Sequence, residues 1–422
     1  MITRVFKLTE ASAKYLGSLP KEDGILVVKS EHKIRQMFID VLESALYHRA
    51  DTKPAFEEIA AYFKGLVPDP AFGEKVDGEL KALRQYVDEG VVYRPAFTTI
   101  RDYVLGKCAR LCAETVHAVV GGTFVDGAEV MVCEEDRDGA LRVDWETSME
   151  RLRSRTSAPG LYVLSSGYGH NSFGYSIRLG RRGEDLMAMT IAAQDSSSPA
   201  EYYVLDDKIL DMGAITYEEA AVFCSVENGA MEAAALLPMM KANLPIVVRD
   251  LADPARKTII SATKPDSDHV VTGYVVEDGF SLINIRGTGL VGKVGVSSSI
   301  FGALARGGVN IRYISQPSTE FCITLAVATR DLKAAIVALS ALYRDGQVSI
   351  DDATDVIEDV CLLSVCGNGM KNMPGTSGRI YSALGAYGVS IVSAAQGGDE
   401  LTISFVIRAK DRAAAEEALS IL

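Results

Sequence analysis

The feature that most constrains this chain is a phrase written twice. Residues 307–316 read GGVNIRYISQ, and residues 387–396 read YGVSIVSAAQ. Residues 295–327 can be laid on residues 375–407 without a gap, with about a third of the positions identical, among them Ile300/Ile380, Leu304/Leu384, Gly308/Gly388, Ile311/Ile391, Gln316/Gln396, Glu320/Glu400 and Ile323/Ile403. Each copy has the same local grammar. A β-rich run (FSLINIRG; VCLLSVCG) leads through a Gly-containing loop into a helix whose apolar residues recur at helical spacing. Gly308 or Gly388 then stops that helix as a C-cap glycine does. Two strands and an Ala-rich helix follow, so each copy reads as a βαββα, α+β unit.

The rest of the chain is of a different kind. Its 422 residues exceed one ordinary core and suggest two or three domains. The stretch KPDSDHVVTG (264–273) reads as a boundary. Before it, helices such as HKIRQMFIDVLESALYHR alternate with short strands such as GILVVKS, GLYVLSSG and LPIVVRD, the pattern of a layered α/β domain with a mainly parallel sheet. The expected division is residues 1–263 for this domain, then 274–345 and 355–422 for the two repeats. Segment 49–95 reads as charged helices forming a surface subdomain.

A net charge of −13 argues against a nucleic-acid surface. The N-terminus MITRVFKLTEAS lacks the apolar run of a signal peptide or membrane span, and seven scattered cysteines without paired spacing fit reduced thiols, so a cytoplasmic protein is expected. Cys108 and Cys112, one helical turn apart, read as buried structural thiols, and no metal site is expected.

The phrases GTGLVGKVGVSSSIFGALARGGVNIRYISQPSTEFCITLAV and GNGMKNMPGTSGRIYSALGAYGVSIVSAAQGGDELTISFVI closely resemble the paired ACT domains of aspartokinases. The resemblance implies a small amino-acid effector (Lys, Thr or Met) and a homodimer formed through the ACT domains. Effector contacts would fall on Val294, Gly295, Asn310, Ile311, Gln316 and Glu320. Asn310 and Gln316 can bond either end of an amino acid and Glu320 can meet an ammonium; Asn310 and Gln316 can equally serve to fix the loop and strand edge.

The first domain resembles the family's amino-acid kinase domain more loosely. LGRRGED (179–185) stands where the family has LGRGGSD, and KLTEAS (7–12) where its first strand ends KFGGTS. The family reaction, ATP-dependent phosphorylation of L-aspartate to 4-phospho-L-aspartate, needs a Lys, backbone donors and Mg²⁺ around the phosphates. By resemblance Lys7 and Asp185 are the candidate catalytic residues, Ser12 and Arg181 the candidate substrate contacts, and Asp206 and Lys208 the remnants of a nucleotide loop; ATP and Mg²⁺ are the implied cofactors of an active enzyme. Arg181 and Asp185 can also be a structural ion pair at a helix start. Four departures weigh against ordinary kinase chemistry: Thr9 and Glu10 replace the two glycines, Lys107 replaces the acid of the family's GERLS, the loop around YYVLDDKIL is about ten residues short, and GAMEAAA stands where GAxVLHP is usual. Three readings follow: an aspartokinase, a non-catalytic amino-acid-sensing relative, and a kinase-fold enzyme with another substrate.

Overall fold

The run Gly24–Ser30 is buried at every position, which a strand covered on both faces requires. It sits inside an eight-stranded sheet in a computed structural model that describes all residues except 94–96, 136–140, 181–182, 195–198, 227–228, 265–269, 287–289, 345–354 and 421–422. The chain divides into two units, Met1–Lys264 and Pro265–Leu422.

In the first unit the strands stand in the order Gly213–Thr216, Lys257–Ser261, Ile246–Asp250, Ala200–Val204, Ile2–Leu8, Gly24–Ser30, Leu161–Ser165, Thr123–Val125. Every neighbouring pair is parallel except Ile246–Asp250 with Lys257–Ser261. The mainly parallel sheet expected from the alternating pattern is therefore present. A second, four-stranded sheet is built from Leu141–Asp144, Val132–Glu135, Tyr168–His170 and Ser176–Arg178.

Segment 49–95 differs from the expectation of a surface subdomain. Its helices Lys53–Leu66 and Pro70–Tyr93 place Phe56, Ile59, Phe63, Val76, Leu80, Leu83 and Val87 in the same core as Phe6, Leu26 and Phe38. The apolar residues recur every three or four positions, so a charge-rich outer face coexists with one buried stripe. Cys108 and Cys112 lie in this core as buried thiols.

In the second unit six antiparallel strands stand in the order Ile311–Ser315, Cys322–Ala328, Gly273–Arg286, Asp355–Cys366, Thr402–Arg408, Ile391–Gln396. The repeated letters are core positions. Ile300, Leu304, Val309, Ile323 and Ala335 form one cluster, and Ile380, Leu384, Val389, Ile403 and Ala415 form its counterpart. Gly308 and Gly388 adopt φ of +72° and +74°, a region costly for a residue with a Cβ, and let Val309 and Val389 close their helices by bonding the carbonyls of Leu304 and Leu384. One finding lay outside the repeat reading. Strand Gly273–Arg286 serves both copies: Val276 packs in the second cluster, while Ile283 and Ile285 pack in the first. The outer strands also meet, the Tyr313 hydroxyl lying 2.8 Å from that of Ser393.

Candidate functional site

In open parallel sheets ligands bind beyond the carboxyl ends of the strands. In the first unit those ends bring together Lys7, Lys29, Ser30 and Ser166 with Glu184 and Asp185 at the start of helix Gly183–Gln194. Lys7 and Lys29 are register partners on adjacent strands. Burial, and then the Lys29 ammonium, hold Lys7 below its ordinary value.

The loop after the first strand is a helix cap. The Ser12 N–H donates to Thr9 Oγ1 at 2.9 Å, and the Thr9 N–H donates to Ser12 Oγ at 2.8 Å, a reciprocal capping box. Ser12 Oγ also donates to the Lys7 carbonyl at 2.9 Å. Ser12 is thus buried and turned inward. Glu10 points to solvent, 3.2 Å from Lys33.

Asp185 is enclosed. Its Oδ1 lies 2.5 Å from Lys29 Nζ, with side-chain exposures of 3% and 8%, and accepts from the Tyr202 hydroxyl, which itself accepts from Lys29. Its Oδ2 accepts from the Glu232 N–H at 2.9 Å. Burial, and then the Asp185 charge, raise Tyr202 well above its ordinary value. Asp185 is therefore in a buried ion pair with Lys29, a partner different from the Arg181 weighed for it. Arg181 lies outside the described residues. Neither Lys29 nor Tyr202 was singled out from the sequence; the one local signal was a lysine inside an apolar strand.

Glu184 is held in the same way. It accepts from the Ser30 N–H at 3.0 Å, from Ser30 Oγ at 2.7 Å and from Arg35 Nη1 at 2.9 Å. It packs so closely on Gly167 (φ +85°) that a Cβ there would lie 2.5 Å from Glu184 Cγ. The cleft that remains, lined in part by Ser166, Tyr168 and Arg178, holds about 10 Å³, space for about one water. Of the candidate nucleotide residues, Asp206 is exposed, has φ +47° and lies 3.5 Å from Arg256; Lys208 is exposed on the same short turn. Lys107, at the position of the family's acid, pairs with Glu79 at 3.1 Å. Among the described residues no group of three or more His, Cys, Asp or Glu could hold a metal ion, and no helix is long and apolar enough to cross a membrane.

The second unit is the reverse case. Val294 is fully exposed, Asn310 and Gln316 are exposed, and the latter two side chains make no hydrogen bond among the described residues. Gly295, at φ +92°, caps helix Val296–Arg306. The Glu320 carboxylate accepts from the Gly292 N–H at 2.7 Å, and Glu400 repeats this bond to Asn372 at 2.7 Å. Glu320 thus staples its own loop. Helix Val296–Arg306 spans eleven residues, about 16 Å, and separates the Val294–Gly295 end from Asn310–Ile311 at the other end.

A model of the ACT domain family matches residues 283–343 and 363–420. The bifunctional aspartokinase/homoserine dehydrogenase of Haemophilus influenzae is 29% identical over 282 residues, 63% of this chain and 34% of that protein. Bifunctional aspartokinase/homoserine dehydrogenase 1 of Arabidopsis thaliana is 24% identical over 92% of this chain and 46% of its own length. The chain therefore spans less than half of these curated relatives. E. coli aspartokinase III, solved with lysine and aspartate and with aspartate and ADP, matches over the whole chain with TM-scores of 0.76 and 0.75 at 17% identity, and covers 99% and 100% of those chains.

Proposed function

We propose that this chain, an aspartokinase-like protein with two ACT-domain matches, is an amino-acid-sensing regulatory relative whose kinase-like unit does not phosphorylate aspartate. The observation that carries this reading is the cap at residues 9–12. A triphosphate needs bare backbone with free N–H donors. Here the Thr9 and Ser12 N–H groups are spent on each other's side chains. Glu10 adds a negative charge to the same turn, which like-charge repulsion makes unfavourable for phosphate. The residues present do not fit ATP with Mg²⁺, and no step is assigned to them.

The ACT pair supports the sensing half. Val294, Asn310 and Gln316 are open to solvent, whereas Ser12 and Asp185 of the first unit are buried and bonded within the protein. The separation of Val294–Gly295 from Asn310–Ile311 means that one amino acid touching both sets needs a second copy, which favours a homodimer joined through this unit. The effector class is a small amino acid, with Lys, Thr and Met the candidates.

Calorimetry on the full chain tests this reading. Saturable binding of one of these amino acids, with no binding of Mg-ATP, is the expected result. Saturable Mg-ATP binding with turnover of L-aspartate would overturn it and leave an ordinary aspartate kinase.

A further inference from the structure

Lys29 is a charged residue that the fold buries, at 7% exposure. It reaches from the second strand to two other elements: Tyr202 on strand Ala200–Val204 and Asp185 on helix Gly183–Gln194. Its ammonium donates to the Tyr202 hydroxyl and stands 2.5 Å from Asp185 Oδ1. The remaining carboxylate oxygen is used by the Glu232 N–H. Two of the lysine's three N–H donors thus meet protein oxygens in a buried setting, so the surroundings offer a receptor for a primary ammonium group.

We propose that Lys29 is an internal ligand: its Nζ fills a slot specific for a primary ammonium, and this occupancy keeps small amino acids out of the first unit. The inference deepens the proposed function and rests on it, naming the residue that decides specificity at the strand ends. The neighbouring Arg35–Glu184 pair, at 2.9 Å, lines the small cleft at the same strand ends.

Lys29→Ala removes Cγ, Cδ, Cε and Nζ, the atoms of n-propylammonium. In the full chain it leaves a buried carboxylate unpaired and should lower the melting temperature of the first unit by roughly 10 °C. Adding n-propylammonium should restore at least half of that loss, while n-propanol and tetramethylammonium at matched concentration should not. Equal effects of all three additives would overturn the assignment. If Lys29→Ala does not fold, wild type is titrated with L-aspartate beside Lys29→Met/Asp185→Leu, which removes the pair without stranding a charge. Equal heats support the internal ligand; a heat seen in wild type and lost in the double variant overturns it. Mg-ATP binding by wild type with the ammonium rescue intact would overturn the proposed function and leave the Lys29 assignment standing.

Discussion

Replacing Ser12 by alanine tests whether the turn after the first strand is a cap or a ligand site. The hydroxyl accepts from the Thr9 N–H at 2.8 Å and donates to the Lys7 carbonyl at 2.9 Å, on a residue 2% exposed. Losing one half of a capping box costs about 1 kcal/mol. Leaving a buried carbonyl short of its O–H donor costs about 1 kcal/mol more. Together, about 2 kcal/mol should lower the melting temperature of the first unit by roughly 4–8 °C, since a unit of this size loses about 2–4 °C per kcal/mol. Thermal unfolding followed by circular dichroism reads the shift. Lys33→Ala is the control: it breaks an ion pair whose side chains are 63% and 70% exposed and should leave the curve unmoved. A Ser12→Ala protein that melts with wild type but loses a saturable ligand heat would refute the reasoning, because the hydroxyl would then be serving a ligand and not the turn.

Three further outcomes follow from the same geometry. Gly308→Ala and Gly388→Ala, at φ +72° and +74° with nothing within 4 Å of the added methyl, should each cost about 1–2 kcal/mol from backbone strain alone, read as a lower urea midpoint with unchanged slope. Gln316→Ala should weaken amino-acid binding about tenfold in calorimetry, the worth of one good hydrogen bond, without moving the melting temperature, because its side chain is exposed. Burial pushes the Cys133 and Cys224 thiols from 9.0 up to about 12. The native state keeps protons there that the unfolded chain releases, so stability should be intact below pH 9 and fall steadily from pH 9 towards 12; a flat profile of melting temperature against pH would contradict this.

The second unit was largely legible because its information is local and repeated. Ile300/Ile380 and Leu304/Leu384 recur in register, and each pair turns out to be buried in equivalent cores. The sharing of strand Gly273–Arg286 between the two cores was not legible, since nothing in eight or ten letters shows which strand it will pair with. Segment 49–95 was misjudged for a different reason: its charges are conspicuous, while Phe56, Ile59 and Phe63 reveal their stripe only when counted at helical spacing. In the first unit the positions Lys7, Ser12 and Asp185 could be read, but their partners could not. Lys29 and Tyr202 are 173 residues apart and meet only through sheet topology.

That last point changes what a surviving motif residue can mean. Asp185 alone, matched by position, argues for a site that receives an ammonium. Asp185 with Lys29 beside it argues the opposite, and the energetics explain how both can stand in one chain. Removing either partner of a buried pair leaves a charge without solvent or counterion, at a cost of about 3–5 kcal/mol, a large share of what holds a domain folded. Once Lys29 is in place, Asp185 is therefore held by stability whatever the unit's chemistry, and its presence carries no weight for catalysis. The weight passes to residues that stability does not hold. Glu10 is such a residue, exposed and, among the described residues, paired only with exposed Lys33. A glycine would fit the turn at small cost to the fold, so the acid at position 10 speaks to function more directly than the aspartate at position 185.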